Sequence, residues 1–484
     1  MGVLDEIRDR LAASNLQMDS ETLTDLIAAH DTDAMKVGVN YYRNKSDIIH
    51  RKMYYYDASG RKIEDPAKEN HKLVNNWHKL LVDQKVSYLV GRPMVFSVDG
   101  GQGGFAGSAG ASDEQNRDFS DKLNVLLGEV WDDTVADIAT NASNKGMEWL
   151  HVYIDKSGHF KYVIIPAEQI IPIYDNAHKQ SLEGLLHYYT VVVDGANRYR
   201  AEWWTRENVT VYLENDGGEF ELDPGTAPNP SPHYQRKGAG HGWGKVPFVE
   251  FPNNSMRTGD IEVTKSLIDQ YDLAISDFAN NISEVQELVT ILKGYEGTNL
   301  AEFRHNLRYF KAIKVRPGND SGVDKLEFHI PVEAKAALLD RLEENIFMFG
   351  QGVNSTTDKF GSSPSGASLE FLYTLLDLKA SMMERKFRRS VKRLLWFVTE
   401  YVNMEHGKTY SSESISVTFR KNMVQNTHEI VDTLKASRDM ISDETIVALH
   451  PMIESPTDEY QRLVDQRKNE ASSTIDLTKV NIDE

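Results

Sequence analysis

The chain has 484 residues, with 54 Lys and Arg against 73 Asp and Glu and a formal net charge of −19. So acidic a chain cannot hold nucleic acid by general attraction to phosphates, because that affinity comes from Lys and Arg releasing condensed counterions. With 0 cysteines it offers no disulfide, thiolate metal site or cysteine nucleophile, and no apolar run approaches the roughly 18 residues of a membrane span.

At roughly 100 to 200 residues per domain, the length predicts two to four domains. The N-terminus, MGVLDEIRDRLAAS, is charged and amphipathic, without a signal-peptide core, and Glu6 stands where a myristoylation signal after Gly2 needs Ser or Thr. The expectation is an intracellular protein.

In chain order, Leu4, Ile7 and Leu11, then Leu23, Leu26 and Ile27, fall at helical spacing, followed by a turn at Asp57-Ala58-Ser59-Gly60. Residues 70–90 predict a helix with Leu73, Trp77, Leu80, Leu81 and Val86 on one stripe, ended by Gly91 and Pro93. The stretch GGQGGFAGSAGAS at 100–112 is too poor in apolar side chains to pack and reads as a mobile loop. From Trp149 to Leu222 the period becomes two, with Asp194-Gly195 and Asp216-Gly217-Gly218 between runs, which predicts one antiparallel meander. Pro224, Pro228, Pro230 and Pro232 then predict a boundary.

Beyond VPFVEF (246–251) the chain turns helical. One helix is predicted from Ile261 to about Glu287 and another from about Glu333 to Phe349. Between them lie β-like runs at 288–294, 311–316 and 325–330 and a helical insert at 301–310. Residues 350–366 are loop by composition. Residues 367–404 then keep Leu369, Leu372, Leu376, Ala380, Met383, Phe387, Val391, Leu394, Val398 and Val402 at helical spacing, a helix on the order of 57 Å at 1.5 Å per residue, ended by Gly407. A strand at 414–419, a helix start at Ser455-Pro456-Thr457-Asp458-Glu459 and a frayed last dozen residues complete an α+β, mainly helical chain.

Catalytic and cofactor motifs read as bland. Gly101-Gln102-Gly103-Gly104-Phe105-Ala106 fits G-x-G-x-x-A, but no helix opens behind it to face a pyrophosphate. Gly407-Lys408-Thr409 lacks the upstream glycine of a phosphate loop, with Asn403 and Val402 in its place, and follows a helix. The 15 His form no ligand cluster, and no G-x-S-x-G elbow occurs. Paired acids such as Asp132 with Asp133 read as solvated faces. No catalytic residue, cofactor or metal site can be named. The one dense basic segment is Arg385, Lys386, Arg388, Arg389, Lys392 and Arg393 on the outer sides of the long helix. It reads as salt bridging to acidic segments of the same or a neighbouring copy, with phosphate contact as the alternative.

NYYRNKSDIIHRK (40–52), NHKLVNNWHKLLVDQKVSYLVGRP (70–93), VPFVEFPNN (246–254), LIDQYDLAISDFANNI (267–282), LVTILKG (288–294), SGASLEFLY (365–373) and ISDET (441–445) occur in an order and spacing that resembles the portal proteins of tailed bacteriophages, in the siphophage head-to-tail connector group. The resemblance implies a ring of about twelve copies around a DNA channel, since closed cyclic assembly is what repeats one contact around an axis. It implies a portal-type subunit with a wing at 1–257 and 367–407, stem helices at 258–287 and 333–349, a clip at 288–332, a tunnel loop at 350–366, and a crown with the C-terminal tail at 408–484. It implies double-stranded DNA in transit, terminase, a head-completion adaptor, and major capsid and scaffolding proteins as partners, with no membrane. The implied location is the portal vertex of a virion assembled in the bacterial cytoplasm. No role carries over to residues 100–112 or to the tail after 471.

A polymer that must slide needs a weakly adhesive wall, and acids provide one by repelling phosphates. The stem segments offer Asp269, Asp272 and Asp277 on the first helix and Glu343 and Glu344 on the second as lining candidates, beside Asp260, Glu262, Glu284, Glu287, Glu333 and Asp340. In the loop, Lys359 is the leading DNA contact, with Phe360, Asn354 and Thr357 near it; an exposed lysine without a partner is the bland alternative. A non-channel scaffold or adaptor binding partners through the long helix is the alternative function.

Overall fold

The structure, a computed structural model, describes residues 18–57, 59–66, 68–98, 113–175, 181–285, 289–293, 322–326, 331–354, 366–422, 427–450, 452–453 and 459–468. Helix accounts for 50% and strand for 22%, so the fold is α+β and mainly helical, as expected. The expected features at residues 4–11, 100–112, 301–310, 311–316, 454–458 and 471–484 lie outside the described residues, as do Thr357, Lys359 and Phe360.

The N-terminal part opens with α1 (Ser20–Ala28), capped by the Asp19 carboxylate accepting from Thr22 N at 2.7 Å, and α2 (Asp33–Tyr42). Gly38 of α2 is pressed against another helix end: a Cβ there would stand 1.8 Å from the Asn144 carbonyl oxygen. The hairpin β1 (Tyr54–Tyr56) and β2 (Lys62–Glu64) follows. Residues 70–76, expected in a helix, lie outside any helix or strand, and α3 covers only Trp77–Val90. Leu73 and, within α3, Leu80 are exposed, whereas Leu81 and Val86 of the predicted stripe are buried.

After β3 (Val95–Val98) comes α4 (Asp113–Lys145), which kinks at Gly128, where φ is 43° and ψ is −152°. The predicted single meander is two sheets. β4 (Met147–Ile154) and β5 (Phe160–Ile165) form a hairpin, and after a one-turn 3₁₀ segment a second sheet starts with β6 (Ile170–Tyr174), β7 (Leu182–Val193), β8 (Ala196–Trp204), β9 (Asn208–Glu214) and β10 (Phe220–Leu222). The physical cause of the break is Glu148, buried in β4, whose carboxylate accepts from Ala167 N at 2.7 Å and ties down the 3₁₀ turn between the sheets.

Nor do the prolines open a gap in the packing. β11 (Ser231–Pro232) pairs with β9, and the Asn229 side chain bonds both the N–H and the carbonyl of Val211, at 3.1 and 2.7 Å. β12 (Tyr234–Arg236) and β13 (Ala239–His241) form a small hairpin, and β14 (Phe248–Pro252) returns to pair with β4, giving the order β14-β4-β5.

The helical part comprises α5 (Ile261–Val285), the paired strands β15 (Val289–Lys293) and β16 (Gly322–Leu326), α6 (Val332–Gly350) and α7 (Gly366–His406). β17 (Ile415–Thr418) pairs with β3, and α8 (Thr427–Ala436), α9 (Asp443–Leu449) and a helix α10 at 459–468 end the chain. The 41-residue α7 matches the predicted long helix, and Gly407 stops it in the left-handed region at φ 62°.

The predicted stripe of α7 is core. Leu376, Ala380, Met383, Phe387, Val391, Leu394, Val398 and Val402 are all buried, in one cluster with α3, α4, β4 and β14. Phe251 of β14 joins the helices, meeting Trp131 of α4 at 6.3 Å and Phe387 of α7 at 5.2 Å between ring centres.

Candidate functional site

The site is assembled around α5 and α6, which pack side by side and are capped at one end by β15 and β16. At the other end α6 stops at Gly350, where a Cβ would lie 2.5 Å from Leu81, and the chain turns through Gln351 in the left-handed region at φ 55°. Both helices are amphipathic: Ile261, Ile268, Leu342, Ile346 and Phe347 form one small core with Tyr41 and Leu81. Trp77 braces it, edge-on to Tyr271 at 5.2 Å and to Phe347 at 5.7 Å.

Four acids of α5 are engaged from within the chain. Asp272 is buried and accepts from Ser46 Oγ at 2.5 Å, Asn75 N at 3.0 Å and Asn75 Nδ2 at 2.9 Å. It therefore lines no surface, which corrects its place among the lining candidates: Ser46 and the strap at 70–76 close over it. Burial pushes its carboxyl upward, against the hydrogen bonds from Ser46 and Asn75 that favour the ionised form. Asp269 accepts from Tyr41 Oη and pairs with Lys265 at 2.7 Å, and Asp277 pairs with Arg51 at 2.5 Å. Glu262 closes the first turn by accepting from Gly259 N at 3.1 Å.

On α6, Glu333, Asp340 and Glu344 are exposed. Glu344 pairs with Arg341 at 3.2 Å, and half-buried Glu343 accepts from the Asn354 side-chain amide at 3.3 Å. Of the loop candidates, Asn354 alone is described, and it is fastened to α6.

Asp260, also among the acids expected on the wall, sits in a buried cluster at the loop base. Its Oδ2 lies 2.6 Å from Lys85 Nζ and 3.1 Å from Lys379 Nζ, while Lys379 also donates to the Gly350 carbonyl at 2.9 Å and Lys85 to Asn253 Oδ1 at 2.8 Å. Burial opposes ionisation of Asp260, but Lys379 and Lys85 outweigh it and hold the carboxyl well below the usual range. Burial pushes Lys85 down to about 8, against the pull of Asp260. A cavity of about 130 Å³ opens beside the cluster, lined by Asp260, Val263, Phe349, Lys379 and Met382 among others. Sequence reading missed this cluster, although Lys85 inside the apolar run LLVDQKVSYLV was a signal: a lysine there needs a buried partner.

The basic segment of α7 resolves into parts. Arg388 pairs with Glu384 one turn back, at 2.5 Å. Arg393 is half-buried near Tyr174 and Glu250, with burial lowering its pKa. Arg385, Lys386, Arg389 and Lys392 have no carboxylate partner among the described residues, so the expected salt bridging within the chain holds for Arg388 only.

Among the described residues no group of three or more His, Asp or Glu is placed to hold a metal, and no helix is long and apolar enough to cross a membrane. An amphipathic helix pair with an antiparallel strand pair between its helices in the chain, followed by a 41-residue helix seated in an α+β core, fits the class of phage connector subunits. Residues 25–473 match the family described as "Phage portal protein, SPP1 Gp6-like", and the chain belongs to that family. It is 35% identical over 468 residues to the portal protein of Bacillus phage SPP1, covering 96% of this chain and 89% of the relative. It is also 28% identical over 483 residues to the portal protein of Clostridium phage phiCD119, covering 95% and 98%.

Proposed function

We propose that about twelve copies of the chain close into a ring at one capsid vertex, a cyclic assembly that repeats one contact between unlike surfaces. The ring is the head-to-tail connector, through which double-stranded DNA enters during packaging and leaves during ejection. Terminase docks first, head-completion and tail proteins follow, and the subunit has no catalytic activity of its own. The observation that supports this most is the match over nearly the whole length to chains named portal protein.

In this reading residues 1–257 and 367–407 are wing, α5 and α6 the stem, 288–332 the clip, 350–366 the tunnel loop and 408–484 the crown and tail. The acidic lining falls to α6, through Glu333, Asp340, Glu343 and Glu344, since Asp272 is buried and Asp269 and Asp277 are tied to Tyr41 and Arg51 of the N-terminal part, whereas Glu344 pairs with Arg341 of its own helix and Glu343 accepts from Asn354 just beyond it. With −19 per copy, a ring of about twelve carries a formal charge of roughly −230, which suits passage of DNA rather than adhesion. Lys359 and Phe360 stay the proposed loop contacts. The adaptor reading is weaker, because the apolar stripe it would use on α7 is buried in the chain's own core.

Electron micrographs of purified particles viewed end-on test the ring; a strictly monomeric species at every salt and protein concentration would overturn it. Replacing residues 353–362 by a short Gly/Ser linker should leave rings intact and impair packaging or retention of DNA; normal packaging would overturn the loop assignment.

A further inference from the structure

Two exposed helical stripes carry matching patterns of opposite charge. On α7, Met382, 57% exposed, is followed at i+3, i+7 and i+10 by the exposed cations Arg385, Arg389 and Lys392. On α4, beyond the kink, Val130, 68% exposed, is followed at i+3 and i+7 by the exposed acids Asp133 and Asp137. Among the described residues none of these five charges has an ion-pair partner. The two acids are four residues apart, as are Arg385 and Arg389, about 6 Å along a helix axis at 1.5 Å per residue.

Neither stripe can turn inward to find a partner. The opposite face of α4 is locked by Trp131, Val135 and Ile138, and that of α7 by Met383, Phe387 and Val391, all in one core. The stripes are therefore rigid and outward, and among the described residues no charge of one pairs with a charge of the other. An unpaired row of three cations in a chain with so large an excess of acid is electrostatically complementary to a surface the same chain also presents.

We propose that the α7 stripe of one copy docks on the α4 stripe of the next copy, with Met382 and Val130 supplying the apolar part and Asp133 and Asp137 facing the cation row. Two unlike surfaces meeting in this way make a heterologous contact, the kind that repeats around a closed ring, so the inference rests on the ring reading above and gives it an interface. Charge complementarity sets the register and the rate of association more than raw affinity.

The test reverses each stripe in the full-length chain: Arg385→Glu with Arg389→Glu and Lys392→Glu in one variant, Asp133→Lys with Asp137→Lys in the other. Sedimentation and mass photometry read the ring fraction, and circular dichroism checks that each variant is as helical as the native chain. Each variant alone should lose rings at least tenfold at equal concentration, because like charges meet at every contact. An equimolar mixture should regain rings of even copy number, since alternation pairs every reversed stripe with its complement; both sets of changes in one chain should regain them too. Native-like rings from either variant alone would overturn the interface and leave the ring reading standing, as would failure of both the mixture and the combined chain to recover. Intact rings with weakened retention of duplex DNA would reassign the cation row to phosphate. A native chain that never assembles would overturn the ring reading and this interface with it.

Discussion

Asn75 donates both its backbone N–H and its side-chain amide to one oxygen of Asp272, at 3.0 and 2.9 Å. Asp272 begins a series: Leu73 N donates to Ser276 Oγ at 3.0 Å and His71 N to Asn280 Oδ1 at 2.7 Å. Every second residue of the strap thus meets every fourth residue of α5. The periods agree because two extended residues rise about 6.6 Å and four helical ones about 6 Å. Side chains of a helix supply the acceptors that a neighbouring strand would give.

Asp272→Ala should therefore release the strap. Leaving the Asn75 N–H unpartnered costs about 2 kcal/mol of stability by denaturant unfolding. Faster hydrogen exchange should appear at His71, Leu73 and Asn75 together. Unchanged exchange there would show that the strap is held by other contacts.

At the loop base, Lys85→Met removes one of two cations from buried Asp260 and should cost about 3 kcal/mol, because a buried charge loses part of its compensation. Lys379→Met frees the Gly350 carbonyl as well, so exchange at Gln351 to Asn354 should rise in that variant more than in the first. Equal exchange in the two variants would contradict the role of Lys379 as the clamp on the loop base.

His78 is buried on α3, its ring Nε2 2.9 Å from Asn144 Oδ1, and burial holds its pKa down to about 4. The unfolded chain takes up this proton near 6.5, the folded chain only near 4. The stability tied to neutral His78 is complete above about 6.5 and is lost as the pH falls through 4, up to about 3 kcal/mol in all. His78→Gln keeps a donor for Asn144 and removes the proton, so chemical unfolding at pH 4 and pH 7 should differ less in the variant.

Phe387 is fully buried between α7 and β14, and Phe387→Ala should lower stability by about 4 kcal/mol through lost burial and the cavity left behind. Phe387→Leu should recover more than half of that in thermal unfolding.

Much of the helical architecture was legible because helical spacing is a local signal. The extents of α5, α6 and α7 follow from apolar residues at i, i+3 and i+4, and Gly407 marks a stop that needs only its own φ of 62°. The strap at 70–76 was illegible for the same reason: Leu73 with Trp77 fits a helical stripe, and only the distant acceptors on α5 draw the backbone out of it. The split of the meander into two sheets depends likewise on Glu148, an acid whose partner at Ala167 lies in the following turn.

The order of segments from residue 40 to 445 was enough to place the chain among the phage portal proteins, since an ordered series of motifs survives without coordinates. Which acids are left exposed was decided by the tertiary structure alone. Asp272 and Glu344 are both carboxylates on helices, yet one is closed over by Ser46 and Asn75 and the other stands in solvent, paired with Arg341 of its own helix. Charge belongs to a residue, but its availability belongs to whatever packs against it, and for Asp272 that is a segment about 200 residues away in the chain.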